Sequence, residues 1–299
     1  MLDISLTGTG GMMPLPNRFL ASAMLRFKNT GILIDCGEGT QVSIQKQGLG
    51  FKGIDIICLT HFHADHVAGL PGLLHAMANS YRAEPVAIMG PAGLKYVVNG
   101  LRVIAKNLPF EIELYESNSH NIQIKDMKIN SLEVHHRTTC LSYCFTTERP
   151  GKFNIEKARN LKIPVKLYSL LQKGETVTYE GMTIDPSMVM GEPRKGFKVN
   201  YTTDTRPVAA LVDFIKEADV FICEGLYGEE DKKPQALKYT HMLFSEAANL
   251  AKKGRVKELW LTHFSPALTE PGAFIKSAAD IFPNSHTGYD GKTITLRYD

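Results

Sequence analysis

An apolar strand that leads directly into a cluster of imidazole and carboxylate side chains is the strongest constraint on this chain. The run I-D-I-I-C-L-T at 54–60 is typical of a fully buried β-strand, and the residues that follow it read H-F-H-A-D-H. His61 and His63 are two positions apart, so they point the same way if the chain leaves the strand in an extended conformation. Asp65 and His66 then fall in the turn that opens the next helix.

This cluster, residues 61–66, is difficult to bury without a cation. Protonated imidazoles would repel one another, and neutral ones would leave buried nitrogen atoms without hydrogen-bond partners. A divalent metal ion solves both problems, and imidazole together with carboxylate is a ligand set that suits zinc. The alternative is a cluster of surface histidines, which is more typical of a polar loop than of the end of a buried strand. The pattern therefore predicts a metal site.

Further ligands are expected from other strand ends, because a zinc ion takes about four ligands and the cluster cannot surround an ion alone. Three polar residues lie just past other predicted strands: His136 after 128–134, Asp204 after 197–203 and His263 after 256–262. Their shared placement is stronger evidence than any one of them. His135 competes with His136, and the alternation of the strand does not choose between the two.

The alternation of short apolar runs with helical patterns predicts an α/β fold. Residues 54–62, a predicted strand that ends in T-H-F, resemble V-K-E-L-W-L-T-H-F at 256–264. This similarity favours two β/α halves whose strand ends meet at one edge of the fold. The alternative is a chance similarity between two strands. Two sheets packed face to face with helices outside would provide that geometry. We also expect a meander of strands from 111–115 to 142–147, a helix over 271–282 and a closing hairpin-like pair at 286–297.

Residues 149–196 interrupt this alternation. Within 149–173 there are seven lysine or arginine residues and one acidic residue, Glu156, although the whole chain carries a net charge of only +3. This is the electrostatic footprint expected for a polyanion, with an ordinary solvated basic surface as the alternative. We expect one domain over 1–299 with an inserted, protruding arm at about 149–196, helical at 154–162 and with a small hairpin in G-E-T-V-T-Y-E-G-M-T-I.

The cysteines and the apolar runs indicate the cellular compartment. The odd number of five cysteines, three of them in apolar strand-like runs, indicates free thiols in a reducing environment. No apolar run approaches the ~20 residues needed to span a bilayer. The N-terminus M-L-D-I-S-L-T-G-T-G-G lacks the basic start and long apolar stretch of a signal peptide. We therefore expect a cytoplasmic protein that does not enter a membrane.

The order of the candidate ligands resembles that of the metallo-β-lactamase superfamily, in which H-x-H-x-D-H is followed by a later His, a later Asp and a final His. Several stretches resemble the ribonuclease Z branch, whose members trim the 3′ end of precursor tRNA: L-T-G-T-G at 6–10, D-C-G-E-G-T-Q at 35–41, T-H-F-H-A-D-H-V-A-G-L-P-G-L-L at 60–74, K-G-E-T-V at 173–177, T-D-T-R-P at 203–207 and L-T-H-F-S at 261–265. The resemblance covers most of the chain. It implies an αββα four-layer sandwich with a protruding basic arm, and a zinc-dependent phosphodiesterase that cleaves precursor tRNA at the 3′ side.

The resemblance also implies a ligand set for two Zn²⁺ ions per subunit. It assigns His61, His63 and His136 to the first zinc, Asp65, His66 and His263 to the second, and Asp204 to a bridge between them. The family places its third histidine seven residues before a tyrosine, which His136 and Tyr143 match, so the resemblance favours His136 with His135 as the alternative. Mn²⁺ or Fe²⁺ could occupy the same ligands.

Three residues receive catalytic roles from the same resemblance. Asp65 would orient or deprotonate the attacking water, and His241 in K-Y-T-H-M would protonate the leaving 3′-oxygen. Glu224 in F-I-C-E-G would orient that histidine. The family motifs H-E-A-T and H-S-T read C-E-G-L and H-M-L here, so the Glu and the His are kept and their neighbours differ. The alternative is that His241 is an exposed histidine in a loop and has no catalytic role.

Two further features lie close to these motifs. The turn with Gly8, Gly10 and Gly11 lacks the Lys-Ser/Thr of a phosphate-binding loop, which favours a tight turn near the metals instead. Arg18 and Arg206 could contact phosphate, and the alternative for Arg206 is a salt bridge that orients a ligand carboxylate.

Three functions fit these observations. The first is a zinc endoribonuclease that binds precursor tRNA through the basic arm at 149–173, since phosphate neutralisation by lysine and arginine dominates nucleic-acid affinity. The second keeps the metals but hydrolyses small phosphodiesters, such as cyclic nucleotides, or sulfate esters. The third is an RNA-binding subunit without catalysis, against which the complete ligand set argues. Exposed apolar helix surface and the resemblance both indicate a homodimer.

Overall fold

A computed structural model of the protein describes residues 1–298. β-Strands form the framework of this structure. Within these residues the strands run in chain order as β1 (Leu2–Gly8), β2 (Ser22–Phe27), β3 (Thr30–Ile34), β4 (Ile56–Cys58), β5 (Val86–Gly90), β6 (Ile112–Glu116), β7 (Asn121–Ile124), β8 (Met127–Val134), β9 (Cys140–Thr147), β10 (Val177–Tyr179), β11 (Met182–Ile184), β12 (Lys198–Thr202), β13 (Val220–Glu224), β14 (Glu258–Thr262), β15 (Ser285–Thr287) and β16 (Thr293–Leu296).

The α-helices are mostly short. They run in chain order as α1 (Thr40–Lys46), α2 (Ala64–Val67), α3 (Leu70–Asn79), α4 (Leu94–Leu101), α5 (Ile155–Asn160), α6 (Tyr168–Gln172), α7 (Ala209–Phe214), α8 (Lys233–Tyr239), α9 (Phe244–Gly254) and α10 (Lys276–Ala279). In the part of the chain that the structure describes, no helix is long and apolar enough to cross a membrane.

The chain divides into two units, one of which combines residues 1–146 with the chain from Phe197 onward. This first unit contains two large sheets, with the strand orders β16-β1-β2-β3-β4-β5-β6 and β15-β14-β13-β12-β9-β8-β7. Strands β3 to β6 are parallel to one another, and so are β12 to β15. The carboxyl ends of parallel strands open at one edge of a sheet, which is where ligand-carrying loops meet in α/β folds.

Three clusters of buried apolar side chains define four layers in this unit. The first cluster combines side chains of both sheets, including Leu25 of β2 and Val199 of β12, so the sheets pack face to face. The second joins α1, α3 and α4 to the outer face of one sheet, and the third joins α7, α9 and α10 to the outer face of the other. Strands β3, β4, β5 and β13 are buried along their whole length because both of their faces are covered. This is the αββα order of layers predicted from the sequence.

Three predictions of secondary structure are wrong. Residues 286–297 do not form a hairpin, because β15 pairs with β14 in one sheet and β16 pairs with β1 in the other. The helix predicted over 271–282 is a 3₁₀ turn at Pro271–Phe274 followed by the short α10, since proline and glycine at its start are poor helix formers. The predicted meander is split, because β6 lies parallel to β5 in the first sheet while β7 to β9 belong to the second.

The second unit, Thr147–Gly196, has buried apolar side chains of its own: Ala158, Ile163, Leu171, Val177, Ile184 and Val189. Helix α5 lies within the range predicted as helical, and the Asn154 side chain caps it by accepting the N–H of Lys157 at 2.9 Å. The predicted small hairpin is the antiparallel pair β10 and β11. That this unit is an inserted arm of a single domain stays a prediction.

Candidate metal centre and active site

Loops at the strand ends of the first unit bring the seven predicted ligands together. His61 and His63 follow β4, Asp65 and His66 lie in α2, His136 follows β8, Asp204 follows β12 and His263 follows β14. Their nitrogen and oxygen atoms form two adjoining groups, His61, His63, His136 and Asp204 in one and Asp65, His66 and His263 in the other. Within each group these atoms lie within 4.8 Å of one another. Positions that are as many as 202 residues apart in the sequence, 61 and 263, therefore meet in one place.

Asp204 lies between the two groups. Its Oδ2 atom is 3.6 Å from Nε2 of His61 and 3.7 Å from Nε2 of His136. Its Oδ1 atom is 3.3 Å from Nε2 of His66 and 3.1 Å from Nε2 of His263. One carboxylate thus presents a different oxygen atom to each group, which is the arrangement that a bridging ligand requires.

The donor atoms of both groups fit a divalent cation. Among the described residues, Nε2 of His66 and both ring nitrogens of His263 are buried without a hydrogen-bond partner, and buried polar atoms are normally paired. In the other group, Nδ1 of His63 lies 3.0 Å from Nε2 of His61 and 3.4 Å from Nε2 of His136. Ring nitrogens that converge in this way have the chemistry of a zinc-type ligand set.

The protonation of Asp204 and His61 suits metal binding, whereas Asp204 and Asp35 outweigh burial and raise the pKa of His66. Burial raises the pKa of Asp204, but the neighbouring His263, His66 and His61 outweigh burial and hold that pKa well below its usual range. Burial also lowers the pKa of the His61 imidazole well below its ordinary value, and His66 lowers it further. An ionised carboxylate and a neutral imidazole are the forms in which these side chains bind metals.

Asp35 fixes the orientation of His66 and was not among the predicted site residues. Its Oδ2 atom lies 2.8 Å from Nδ1 of His66, and its Oδ1 atom accepts the backbone N–H of Thr60 at 2.8 Å. The bond to Nδ1 leaves Nε2 of His66 facing Asp65 and Asp204, at 3.5 and 3.3 Å. Asp35 directly follows β3, so it carried the same signal as the ligands, a polar residue just past an apolar strand.

Gly11 leaves the space that the ring of His263 occupies. A Cβ atom at position 11 would lie 2.8 to 3.0 Å from three ring atoms of His263, which is closer than real Cβ contacts allow. His263 itself has a φ of 59°, an uncommon left-handed conformation for a residue other than glycine. The glycine-rich turn that the sequence places near the metals therefore makes room for one of the candidate ligands.

His136, rather than His135, joins the cluster. Nδ1 of His136 lies 2.9 Å from the hydroxyl oxygen of Thr240, which fixes the ring with its Nε2 atom toward His63. The side chain of His135 is exposed, and its backbone N–H donates to the hydroxyl of Thr205 at 3.0 Å.

Glu224 and His241 form a buried pair beside the cluster. Oε2 of Glu224 lies 3.0 Å from Nδ1 of His241, and its Oε1 atom accepts the backbone N–H of Thr205. Burial lowers the pKa of His241, but the charge of Glu224 and the hydrogen bond to it outweigh burial and raise the pKa to about 9. His241 is therefore protonated at neutral pH and has a proton to donate. Its Nδ1 atom is 4.0 Å from Oδ2 of Asp204, so the pair borders the metal centre.

Arg206 holds the backbone that carries His241. Its guanidinium pairs with both carboxylate oxygens of Glu246, at 2.8 and 2.5 Å, and Nη1 also donates to the backbone carbonyl of His241. Glu246 in turn accepts the backbone N–H of Leu243 at 3.0 Å. The sequence left open a phosphate contact or a salt bridge to a ligand carboxylate. The structure instead pairs Arg206 with Glu246, a carboxylate outside the two ligand groups.

A cavity of about 400 Å³ opens onto the centre. One part of its wall consists of candidate site residues, namely His63, Asp65, His136, Asp204 and His241. The rest consists of Met12, Arg137, Leu226, Tyr227 and Tyr239. Oδ2 of Asp65 accepts the backbone N–H of Met12 at 2.8 Å, which holds this carboxylate at the cavity wall. A volume of this size is in the range of small-ligand sites, and a group that enters it meets Asp65, Asp204 and His241 together.

Comparison with known proteins identifies the family. The chain is 48% identical to the protein named ribonuclease Z from Lachnoclostridium phytofermentans, over 301 aligned residues that cover 100% of this chain and 99% of that relative. It is 49% identical to the ribonuclease Z of Clostridium acetobutylicum, again with 100% and 99% of the two chains covered. The chain belongs to the ribonuclease Z family. Residues 2–276 also match the family model described as Anti-Pycsar protein Apyc1, so the chain falls within that family as well.

Solved structures confirm the fold. The crystal structure of the short form of human tRNase Z aligns with a TM-score of 0.70 at 23% identity and covers 99% of this chain and 100% of its own. The metallo-β-lactamase fold protein YhfI from Bacillus subtilis aligns with a TM-score of 0.69 at 18% identity and covers 98% of both chains. The predicted metallo-β-lactamase fold is therefore confirmed. Membership of the ribonuclease Z family also confirms the prediction of a metal-dependent hydrolase.

Proposed function

We propose that this member of the ribonuclease Z family is an endoribonuclease that cleaves precursor tRNA at the 3′ side with the help of two divalent cations. The main support for two cations is the position of the Asp204 carboxylate, because its two oxygen atoms face two different groups of ligands. A pair of metals is the usual device for in-line displacement at a phosphodiester. Relatives named ribonuclease Z, at 48 and 49% identity over the full chain, support the RNA substrate.

The ligands divide between two proposed zinc ions. His61, His63 and His136 would hold the first, Asp65, His66 and His263 the second, and Asp204 would bridge them. When bound, the metals supply a nucleophile at neutral pH and neutralise charge on the phosphate. Zinc suits this set of imidazoles and carboxylates, and Mn²⁺ and Fe²⁺ are the alternatives. Metal analysis of the purified protein distinguishes between these three ions.

The side chains around the cavity perform the remaining chemistry. Asp65 orients the attacking water, because its carboxylate is fixed at the cavity wall by the N–H of Met12. The water oxygen forms a new bond to phosphorus as the bond from phosphorus to the 3′-oxygen breaks. His241 donates its proton to the departing 3′-oxygen, which leaves as a hydroxyl. Glu224 keeps His241 protonated and in position through the 3.0 Å contact to Nδ1.

The second unit, Thr147–Gly196, is proposed as the inserted arm that binds the body of precursor tRNA. Its basic residues between 149 and 173 support this, because Lys152, Lys157, Arg159, Lys162, Lys166 and Lys173 are all exposed. Exposed lysine and arginine bind a phosphate backbone by releasing its counterions, which makes affinity depend strongly on salt.

A homodimer in a reducing, cytoplasmic environment is the proposed working form. Large apolar side chains of the first unit are exposed at Tyr81, Tyr96, Val103 and Ile104, and exposed apolar surface often marks an interface between chains. All five cysteines are free and buried, which supports a reducing compartment. Sedimentation analysis of the purified protein tests the dimer, and a monomer at micromolar concentration would reject it.

Removing positive charges from the second unit distinguishes between a tRNA substrate and the alternative substrates, small phosphodiesters or sulfate esters. A Lys157→Gln, Arg159→Gln, Lys162→Gln triple variant should raise KM for precursor tRNA and flatten its salt dependence, while hydrolysis of bis-p-nitrophenyl phosphate stays at the wild-type rate. The matched control is Lys276→Gln, Lys253→Gln, Lys252→Gln, which removes as many exposed charges from the first unit. An intact enzyme that hydrolyses small esters but leaves precursor tRNA uncut would reject the tRNA proposal.

A further inference from the structure

Half of the cavity wall consists of residues whose side chains have no role in the proposed reaction. Arg137 lies in the loop after β8, Tyr227 in the loop after β13, and Tyr239 at the end of α8. Met12 and Leu226 complete this part of the wall. The three planar side chains lie in the same cavity wall as Asp65, Asp204 and His241, where the phosphodiester would be cleaved.

The guanidinium of Arg137 lies over the ring of Tyr239. The guanidinium carbon of Arg137 lies 4.9 Å from the centre of the Tyr239 ring, and Nη2 donates to the carbonyl oxygen of Lys238 at 3.1 Å. Tyr239 is 39% exposed as a residue, so part of it is accessible to a ligand. A planar cation held over an aromatic ring extends a flat surface on which another flat group can stack.

Tyr227 and Leu226 form the adjoining apolar surface. Leu226 is buried and Tyr227 is half-buried, and the backbone carbonyl of Tyr227 accepts the N–H of Phe244, which fixes the loop against α9. The wall of the cavity therefore combines an apolar part with an ionised part. A phosphate group alone would fill the ionised part and would make no use of the apolar one.

We infer that Arg137, Leu226, Tyr227 and Tyr239 form a nucleobase subsite, which stacks the base of a nucleotide that adjoins the scissile phosphodiester. The inference rests on the proposed function, because it requires a substrate that carries a base beside the phosphate. Stacking on aromatic rings and guanidinium planes is how proteins hold unpaired bases. Stacking by itself does not distinguish the four bases, since every base has a π-face.

A double-mutant cycle between the protein and the RNA tests this subsite. Tyr239→Ala should lower kcat/KM for precursor tRNA about ten-fold, the loss expected when one stacking aromatic is truncated. The nucleotides on either side of the cleavage point are then replaced in turn by abasic nucleotides. On one of these two substrates, Tyr239→Ala should cost less than about two-fold, because the base that it stacks is already absent. Tyr239→Phe keeps the ring and should restore most of the activity on the intact RNA.

A second pair of variants separates stacking from charge. Arg137→Lys keeps the positive charge but loses the plane, so it should resemble Arg137→Met if the guanidinium stacks. Full activity of Arg137→Lys, or an equal loss for Tyr239→Ala on intact and on both abasic substrates, would overturn the subsite alone. Failure of the wild-type protein to cleave the intact precursor tRNA would overturn the proposed function and the subsite with it. Metal content, measured on each variant, shows that the neighbouring ligand His136 is undisturbed.

Discussion

The Oε2 atom of Glu224 lies 3.0 Å from the Nδ1 atom of His241, at the wall of the cavity that also contains Asp65. The two residues come from separate strand and loop segments, and the N–H of Thr205 fixes the other oxygen of Glu224. The negative charge of Glu224 counteracts burial and raises the pKa of His241 to about 9. The pair therefore provides a proton donor that stays charged through neutral pH.

Glu224→Gln should shift the alkaline limb of the pH profile to lower pH. In the proposed reaction His241 acts in its protonated form, which exists below its pKa, and Glu224 raises that pKa. Loss of the charge lowers the pKa, so the variant should lose kcat/KM at a lower pH than the wild type does. His241→Ala should lose about 10²- to 10⁴-fold at neutral pH, where His241 of the wild type is protonated, as expected for a general acid. The exposed Glu230 provides the control, and a Glu224→Gln profile that coincides with that of Glu230→Gln would contradict the role of Glu224.

Arg206→Lys should lower kcat about 10- to 100-fold, the loss that a small misplacement of a catalytic group produces. Lysine cannot pair with both oxygens of Glu246 and also reach the carbonyl of His241, as the guanidinium does. KM and metal content should change little, because the guanidinium of Arg206 bonds to Glu246 and a backbone carbonyl rather than to the candidate ligands, and Arg206 does not itself line the cavity. The control is Arg255→Lys, at an exposed arginine after α9. A rise in KM with unchanged kcat would show that Arg206 binds substrate instead.

Gly11→Ala should weaken the metal group that contains His263. The added methyl group would lie 2.8 to 3.0 Å from the imidazole ring, so the ring must move away from Asp65 and Asp204. Metal analysis after dialysis should find a lower content in this variant than in Gly272→Ala, because nothing lies within 4 Å of a Cβ atom at position 272. Equal metal content in the two variants would contradict the close contact.

Asp35→Asn should reduce metal affinity about 10- to 100-fold, as is typical when the partner of a metal-binding histidine is changed. The carboxylate accepts from Nδ1 of His66 at 2.8 Å and so fixes which ring nitrogen faces Asp204. Competition with a chelator measures the affinity, with Asp126→Asn as the control, a half-buried carboxylate that pairs with Lys28 elsewhere in the first unit. Wild-type affinity in Asp35→Asn would show that His66 is positioned by its surroundings without this bond.

The sequence predicts the candidate ligands because each follows a short apolar strand, and parallel strand ends meet at one edge. The same rule applies to Asp35, but a sequence pattern contains no distances, so it could not distinguish a residue that binds metal from one that orients a ligand. Glu246 as the partner of Arg206, and the contact of Gly11 with His263, depend on packing between segments that are far apart in the chain.

The error at the C-terminal end has a similar cause. β15 and β16 are short, close in sequence and separated by a turn at Gly291, whose φ is 95°. These are the local features of a hairpin. The two strands nevertheless pair with β14 and β1, because each completes the edge of a different sheet. The local pattern indicates strands, while the partner of each strand is set by the edge that is open to it.

Cleavage of a precursor tRNA by the purified protein, with metal content measured on the same sample, is the decisive test of the proposed two-metal reaction. We expect two divalent metal ions per chain, a tRNA product with a free 3′-hydroxyl, loss of cleavage on treatment with a chelator, and recovery when zinc is returned. Asp204→Asn should lose both metal and cleavage. Cleavage that persists after the metals are removed, or a metal-loaded protein that leaves the precursor intact, would contradict the proposed reaction.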